Sequence, residues 1–212
     1  MRAIKHLPAL GVTIGVCLFV VATTRYPGGT LRSSSTVGYR WTQNFVSSLF
    51  APQALNGEPN RARFFAILAV FFISAALGIA YNVIAATAPT RGHRKTIQIA
   101  GIGSAVYGFF IATPMHDLMV NISLVFNLVA MIATTHMLYV ERRWGLFAGG
   151  ALSLAILFLT AVMYYANAIY GILPVVQKLG LVTNIAWVIF VYYARSGPAI
   201  EVGDAPATEP AS

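Results

Sequence analysis

Residues 63–86 read RFFAILAVFFISAALGIAYNVIAA. Behind the entering Arg63 this run carries no charge, and it exceeds the roughly 20 apolar residues that a helix needs to cross a bilayer. Working outward, five more runs share its character: Leu7–Thr24, Ile97–Thr113, Leu118–Val140, Gly145–Ala166 and Pro174–Ala194. All are continuously apolar. Membrane-barrel strands are about ten residues long and alternate between apolar and polar. The expected fold class is therefore all-α, a polytopic transmembrane helix bundle of about six spans.

Composition points the same way. Of 212 residues, 58% are hydrophobic and 9% are charged, against roughly a quarter charged in a soluble domain. A soluble fold so poor in charge could not cover its surface, whereas a lipid-facing one needs no such cover. The net charge of +8 does not point to nucleic acid, because the basic residues stand in ones to threes between apolar runs rather than on one face. The single cysteine, Cys17, excludes a disulfide framework.

The first run follows Arg2 and Lys5, as in a signal peptide, but its exit Ala22-Thr23-Thr24-Arg25 lacks the small-x-small cleavage pattern. An uncleaved span is expected. Residues 1–195 then form one six-span domain. The Pro-rich, acidic stretch 196–212 reads as a disordered cytoplasmic tail. The short connections 114–117 and 167–173 contain no Lys or Arg, while those on the opposite side hold Arg91, Arg94, Lys95, Arg142 and Arg143. By the positive-inside rule both termini are cytoplasmic in a multi-pass protein of the cell membrane. The five arginines of the long first loop, Arg25, Arg32, Arg40, Arg61 and Arg63, run against that orientation.

Small residues recur four apart within the spans: Ser74 and Gly78, Gly101 and Ala105, Ser104 and Gly108, Gly149 and Ser153. Such spacing lets helices approach closely, here within one bundle.

Two regions could carry chemistry. In the first loop, residues 38–50 placed on a helix put Trp41, Phe45, Val46, Leu49 and Phe50 on one face and Arg40, Gln43, Asn44 and Ser47 on the other. This predicts an amphipathic helix along the extracytoplasmic interface, as an anchor or as a lid whose polar face closes over a cavity. The second region is the fourth span. Ser123, Asn127 and Thr134 fall within about 20° of the direction of His116, and Asp117 and Asn121 form an adjacent pair. Polar residues in a span face the bundle interior, where they bond neighbouring helices or line a wet path. Lys178, one turn into the last span, is expected at the same end, as are Asn167 and Tyr170.

A zinc-dependent lipid hydrolase would need convergent ligands. His116 and His136 are about 30 Å apart along one helix, His6 and His93 lie at the far end, and no serine or cysteine sits in a nucleophile turn. No metal or cofactor is expected. The residues favour a non-enzymatic protein that binds membrane lipids or a membrane-protein partner. A small proton-coupled permease using His116, Asp117 and Asn127 is the alternative, and the hydrolase ranks third.

The order of one span, Tyr26-Pro27-Gly28-Gly29-Thr30, Gly38-Tyr39-x-Trp41, Asn44-Phe45-x-Ser47-Ser48-Leu49, a turn at Asn56-Gly57, and five spans with Pro114-x-His116-Asp117 heading the fourth resembles a known family. It is similar to the prokaryotic membrane proteins classed as domain of unknown function 998, whose layout is that of DRAM-type and Frag-type proteins. The resemblance covers Leu7 to Ala194. Relatives carry Ser-Asp-Leu-Gly where this chain has Ser47-Ser48-Leu49-Phe50, so the carboxylate of that motif is missing at Ser48. The resemblance implies the six-span architecture and no reaction.

Overall fold

The computed structural model describes residues 4–166 and 171–196. Six helices dominate it: α1 (Leu7–Arg25), α2 (Arg63–Ala86), α3 (Arg91–Phe109), α4 (His116–Val140), α5 (Trp144–Tyr165) and α6 (Leu173–Ser196). Each is long and apolar enough to cross a membrane, and the chain is a multi-pass membrane protein. Among the described residues there is no β-strand, only two isolated bridges within the first loop.

The helix ends follow from local chemistry. Pro8 stands in the first turn of α1, where its missing N–H removes no bond. The Thr90 hydroxyl caps α3 by accepting from the His93 N–H. That cap starts α3 six residues before the apolar run at Ile97, because Arg91, Arg94 and Lys95 form a solvated first turn. The α4–α5 reversal uses Arg142 at φ 58°.

Consecutive helices pack side by side, and contact between α2 and α6 closes α2–α6 into a ring. The α1 helix lies outside that ring against α2. In lipid, apolar surface gives no drive for helices to associate, so close packing must supply it. A Cβ on Gly15 of α1 would stand 2.9 Å from the Ala69 carbonyl oxygen of α2. Between α2, α3 and α4, a Cβ on Gly108 would meet the hydroxyls of Ser74 and Ser123 at 3.3 Å. The small-residue pairs thus pack within the bundle.

Two buried clusters hold the ring. One fills the half remote from the first loop, around Tyr81, Ile84, Ile97, Met131, Leu138 and Val188. The other lies under the loop, where Tyr26, Leu49 and Phe50 pack on Ala22, Ala62 and Ala66. On the loop-side half of α4, from His116 to Val129, no residue is buried.

The first loop departs from the expected amphipathic helix. Only Val46–Leu49 is helical, as one 3-10 turn. Gly38, at φ 70°, breaks the start of the expected helix. The Asn44 side chain then ties this segment back to the start of the loop. Its Oδ1 accepts from Arg40 N at 2.8 Å, and its Nδ2 donates to Gly29 O at 2.7 Å. The two-faced division fails with it: Asn44 is 1% exposed while Trp41 is 53% exposed. Instead the loop folds into a compact cap. Gly28 and Gly29, both at positive φ, turn the chain so that Gly28 bridges Val37. A Cβ on Gly29 would collide with the backbone at Leu55 and Asn56.

Candidate functional site

The site is the cap and the end of α6 beneath it. Asn44 is its node, because its side chain joins two loop segments and its carbonyl accepts from Lys178 Nζ at 2.6 Å. Lys178 also donates to Pro174 O at 3.0 Å, and its ammonium lies 5.5 Å from the centre of the Tyr39 ring. One turn of α6 adds a second fastening: the Gln177 side chain accepts from Val46 N at 3.1 Å. At the far end of the cap, the Asn60 side chain donates to the carbonyls of Ser48, Leu49 and Ala51 and accepts from Ala62 N. Bonds from a charged donor are the strong ones, so Lys178 fixes the cap on the bundle.

Inside the cap, Tyr26 and Tyr39 meet edge to face with ring centres 5.8 Å apart, and Tyr39 meets Trp41 the same way at 5.4 Å. Burial raises the Tyr39 phenol well above its ordinary value, and the neighbouring Tyr26 raises it further. Burial raises Tyr26 as well, although the bond it accepts from Leu55 N works the other way.

Two clefts open on the outer surface of the cap and share Gln43. One, of about 460 Å³, is a broad furrow lined by Thr36, Tyr39, Arg40, Trp41, Thr42 and Gln43. The other, of about 200 Å³, lies between the cap and the start of α6, lined by Leu31, Arg32, Gln43, Phe45, Gly171 and Pro174. Among the described residues no carboxylate lines either one. At this end of the molecule Arg25, Arg32, Arg40, Arg61, Arg63 and Lys178 face only Glu58 and Asp117 among the described residues.

The sequence-derived candidates divide between three settings. Asn44, Ser47 and Lys178 belong to the cap, with Ser47 half-buried in the 3-10 turn. His116 stands below it, donating from Nδ1 to the Ile111 carbonyl at 2.7 Å, its ring 6.2 Å from that of Phe50. Asp117 is exposed beside it. Three of the remaining polar residues of α4 bond to neighbouring helices. Asn121 accepts from the Tyr165 hydroxyl, Ser123 donates to Ser104 O, and Asn127 accepts from the Tyr81 hydroxyl. Thr134 turns back to Ala130 O on its own helix. Neither cleft is lined by His116, Asp117 or Asn127. Asn167 and Tyr170 lie outside the described residues.

At the opposite end of the bundle, the histidines that the sequence groups on that face divide into two contacts. His93 Nε2 and His136 Nδ1 lie 3.0 Å apart, while His6 goes to the Tyr193 hydroxyl. Antiparallel packing of α3 and α4 was the available signal, since it sets the first turn of one beside the last turn of the other. Arg195 donates to Glu141 at 2.6 Å, fastening the α4–α5 turn to the end of α6. Among the described residues no group of three or more His, Cys, Asp or Glu side chains could hold a metal ion.

Fold and site together define a polytopic α-helical membrane protein with a folded, cationic cap on one end. Compared with known proteins, the chain matches no family model, no curated protein and no solved structure.

Proposed function

We propose that this protein is a non-enzymatic component of the cell membrane that binds a membrane lipid at its cap, with the cap extracytoplasmic and both termini cytoplasmic. The observation that carries this reading is the cap itself. A loop folded around a buried asparagine and bonded to α6 by Lys178 holds its shape, and on that shape arginines border two clefts free of carboxylate. Exposed Leu31, Val37 and Trp41 suit the headgroup layer better than water. A permease would draw on His116, Asp117 and Asn127, but His116 is bonded to the Ile111 carbonyl, Asn127 to the Tyr81 hydroxyl, and none of the three lines either cleft. The architecture and loop motifs also support a place among the domain of unknown function 998 proteins.

Native mass spectrometry of the protein taken from its membrane in mild detergent tests the lipid reading. Lipid adducts are expected on the wild type and lost from Lys178→Met, whose helix content by circular dichroism stays unchanged. A wild-type protein with no adduct, or adducts indifferent to Lys178→Met, would overturn it.

A further inference from the structure

The smaller cleft carries the reading of a lipid-binding cap one step further, to the class of lipid and its pose. At about 200 Å³ it falls below the roughly 300 Å³ at which pockets for drug-sized molecules begin. It has room for a headgroup and none for acyl chains. Its polar side chains are the Arg32 guanidinium, a cation with several donors, and the Gln43 carboxamide. Arg40 lines the adjoining furrow, on the other side of Gln43. Planar guanidinium groups match the oxygens of a phosphodiester, and no carboxylate competes for them. Arg32 lies against the floor of the cleft: a Cβ on Gly171 would stand 2.7 Å from one of its guanidinium nitrogens, so a side chain there would push the arginine aside.

The acyl chains also have a surface. Gly171 leads through Ile172 into α6, on which Val175, Leu179 and Val182 are all exposed. At 100° per residue these three fall within about 60° of one another, a stripe running from the cleft toward the membrane interior. Free inorganic phosphate would occupy the cleft alone, whereas a phospholipid would use the cleft and this stripe together.

We propose that the cap selects an anionic phospholipid, its phosphodiester held between Arg32 and Gln43 in the cleft against Gly171 and Pro174, and an acyl chain on the Val175, Leu179 and Val182 stripe of α6. This rests on the cap being a lipid site, and adds charge selectivity and a pose.

The test uses the full chain in phosphatidylcholine nanodiscs with and without phosphatidylglycerol, read by native mass spectrometry for retained lipid. Wild type is expected to retain phosphatidylglycerol in preference to phosphatidylcholine. Arg32→Gln should weaken that preference about fivefold, the scale of one basic residue at an anionic surface. Gly171→Leu, which keeps every charge but fills the cleft, should do the same. Arg61→Gln, exposed and outside both clefts, is the control and should change little. Equal retention of the two lipids, or a preference that survives both Arg32→Gln and Gly171→Leu, overturns the inference. If Lys178→Met still releases lipid in that case, the lipid-binding cap itself stands. Displacement of phosphatidylglycerol by millimolar inorganic phosphate would identify a soluble anion as the ligand and also overturn it. Wild type that retains no lipid brings down both readings.

Discussion

Asn44 shows how one side chain decides a local fold. Its carboxamide satisfies Arg40 N and Gly29 O in a site closed to water. Replacing it by alanine leaves both groups without a partner, each costing about 1–3 kcal/mol when buried. Asn44→Ala should therefore lower the midpoint of thermal unfolding in detergent and expose the loop to protease at Arg40, while Asn56→Ala, half-exposed, should do neither. Tyr39 and Tyr26 give a second prediction at this scale. Both phenols are raised above their ordinary 10.0 in the folded cap. The folded state therefore favours the neutral phenol, and that contribution is complete below about pH 10 and declines as pH rises toward the folded values. Tyrosinate absorbance should show late-ionising tyrosines in the wild type, Tyr39 and Tyr26 among them, and Lys178→Met should move those two back toward the exposed ones.

Among the elements, the contact between α1 and α2 depends on Gly15. A leucine there would push into Ile73 and the Ala69 carbonyl, an overpacking that costs typically 1–3 kcal/mol. Gly15→Leu should lower thermal stability and loosen α1. Gly145→Leu, with open space around the glycine, should leave stability unchanged. The helices were legible because each span needs only length and apolarity, properties that a single run displays by itself. The cap was not. Its 3-10 turn, bridges and asparagine bonds join residues far apart in the chain, and a helical wheel over residues 38–50 assumes the very periodicity that Gly38 and Asn44 break. Spacing alone groups the polar residues of α4, but their partners Ser104, Tyr81 and Tyr165 could be named only once α2, α3 and α5 had positions.

Across the whole molecule, the cap and the α2–α3 turn belong to opposite ends of the bundle. Cysteine labelling with an impermeant reagent tests their assignment to the two sides of the membrane, in a Cys17→Ser background. Ser33→Cys should react from outside intact cells and Thr90→Cys only after permeabilisation. Reaction of Thr90→Cys from outside would reverse the orientation. The two buried clusters also divide the stability of the molecule by end. His93 and His136 join α3 to α4 beside the remote cluster, so His136→Ala should loosen that end, seen as faster hydrogen exchange at residues 90–97, without altering protection of the cap.

The bond between Lys178 and the Asn44 carbonyl joins residues 134 positions apart, and this separation sets a timetable during synthesis. The loop leaves the ribosome early, but the side chains that fasten it, Gln177 and Lys178, arrive with the last span. At about 5–20 residues per second, the nascent loop waits roughly 7 to 27 s before it can close. Throughout that interval its arginines and Trp41 are in place while the α6 wall of the smaller cleft is still missing. A chain arrested after α5 would keep five spans and an unfastened loop, and a full-length chain would complete its cap as the final act of folding.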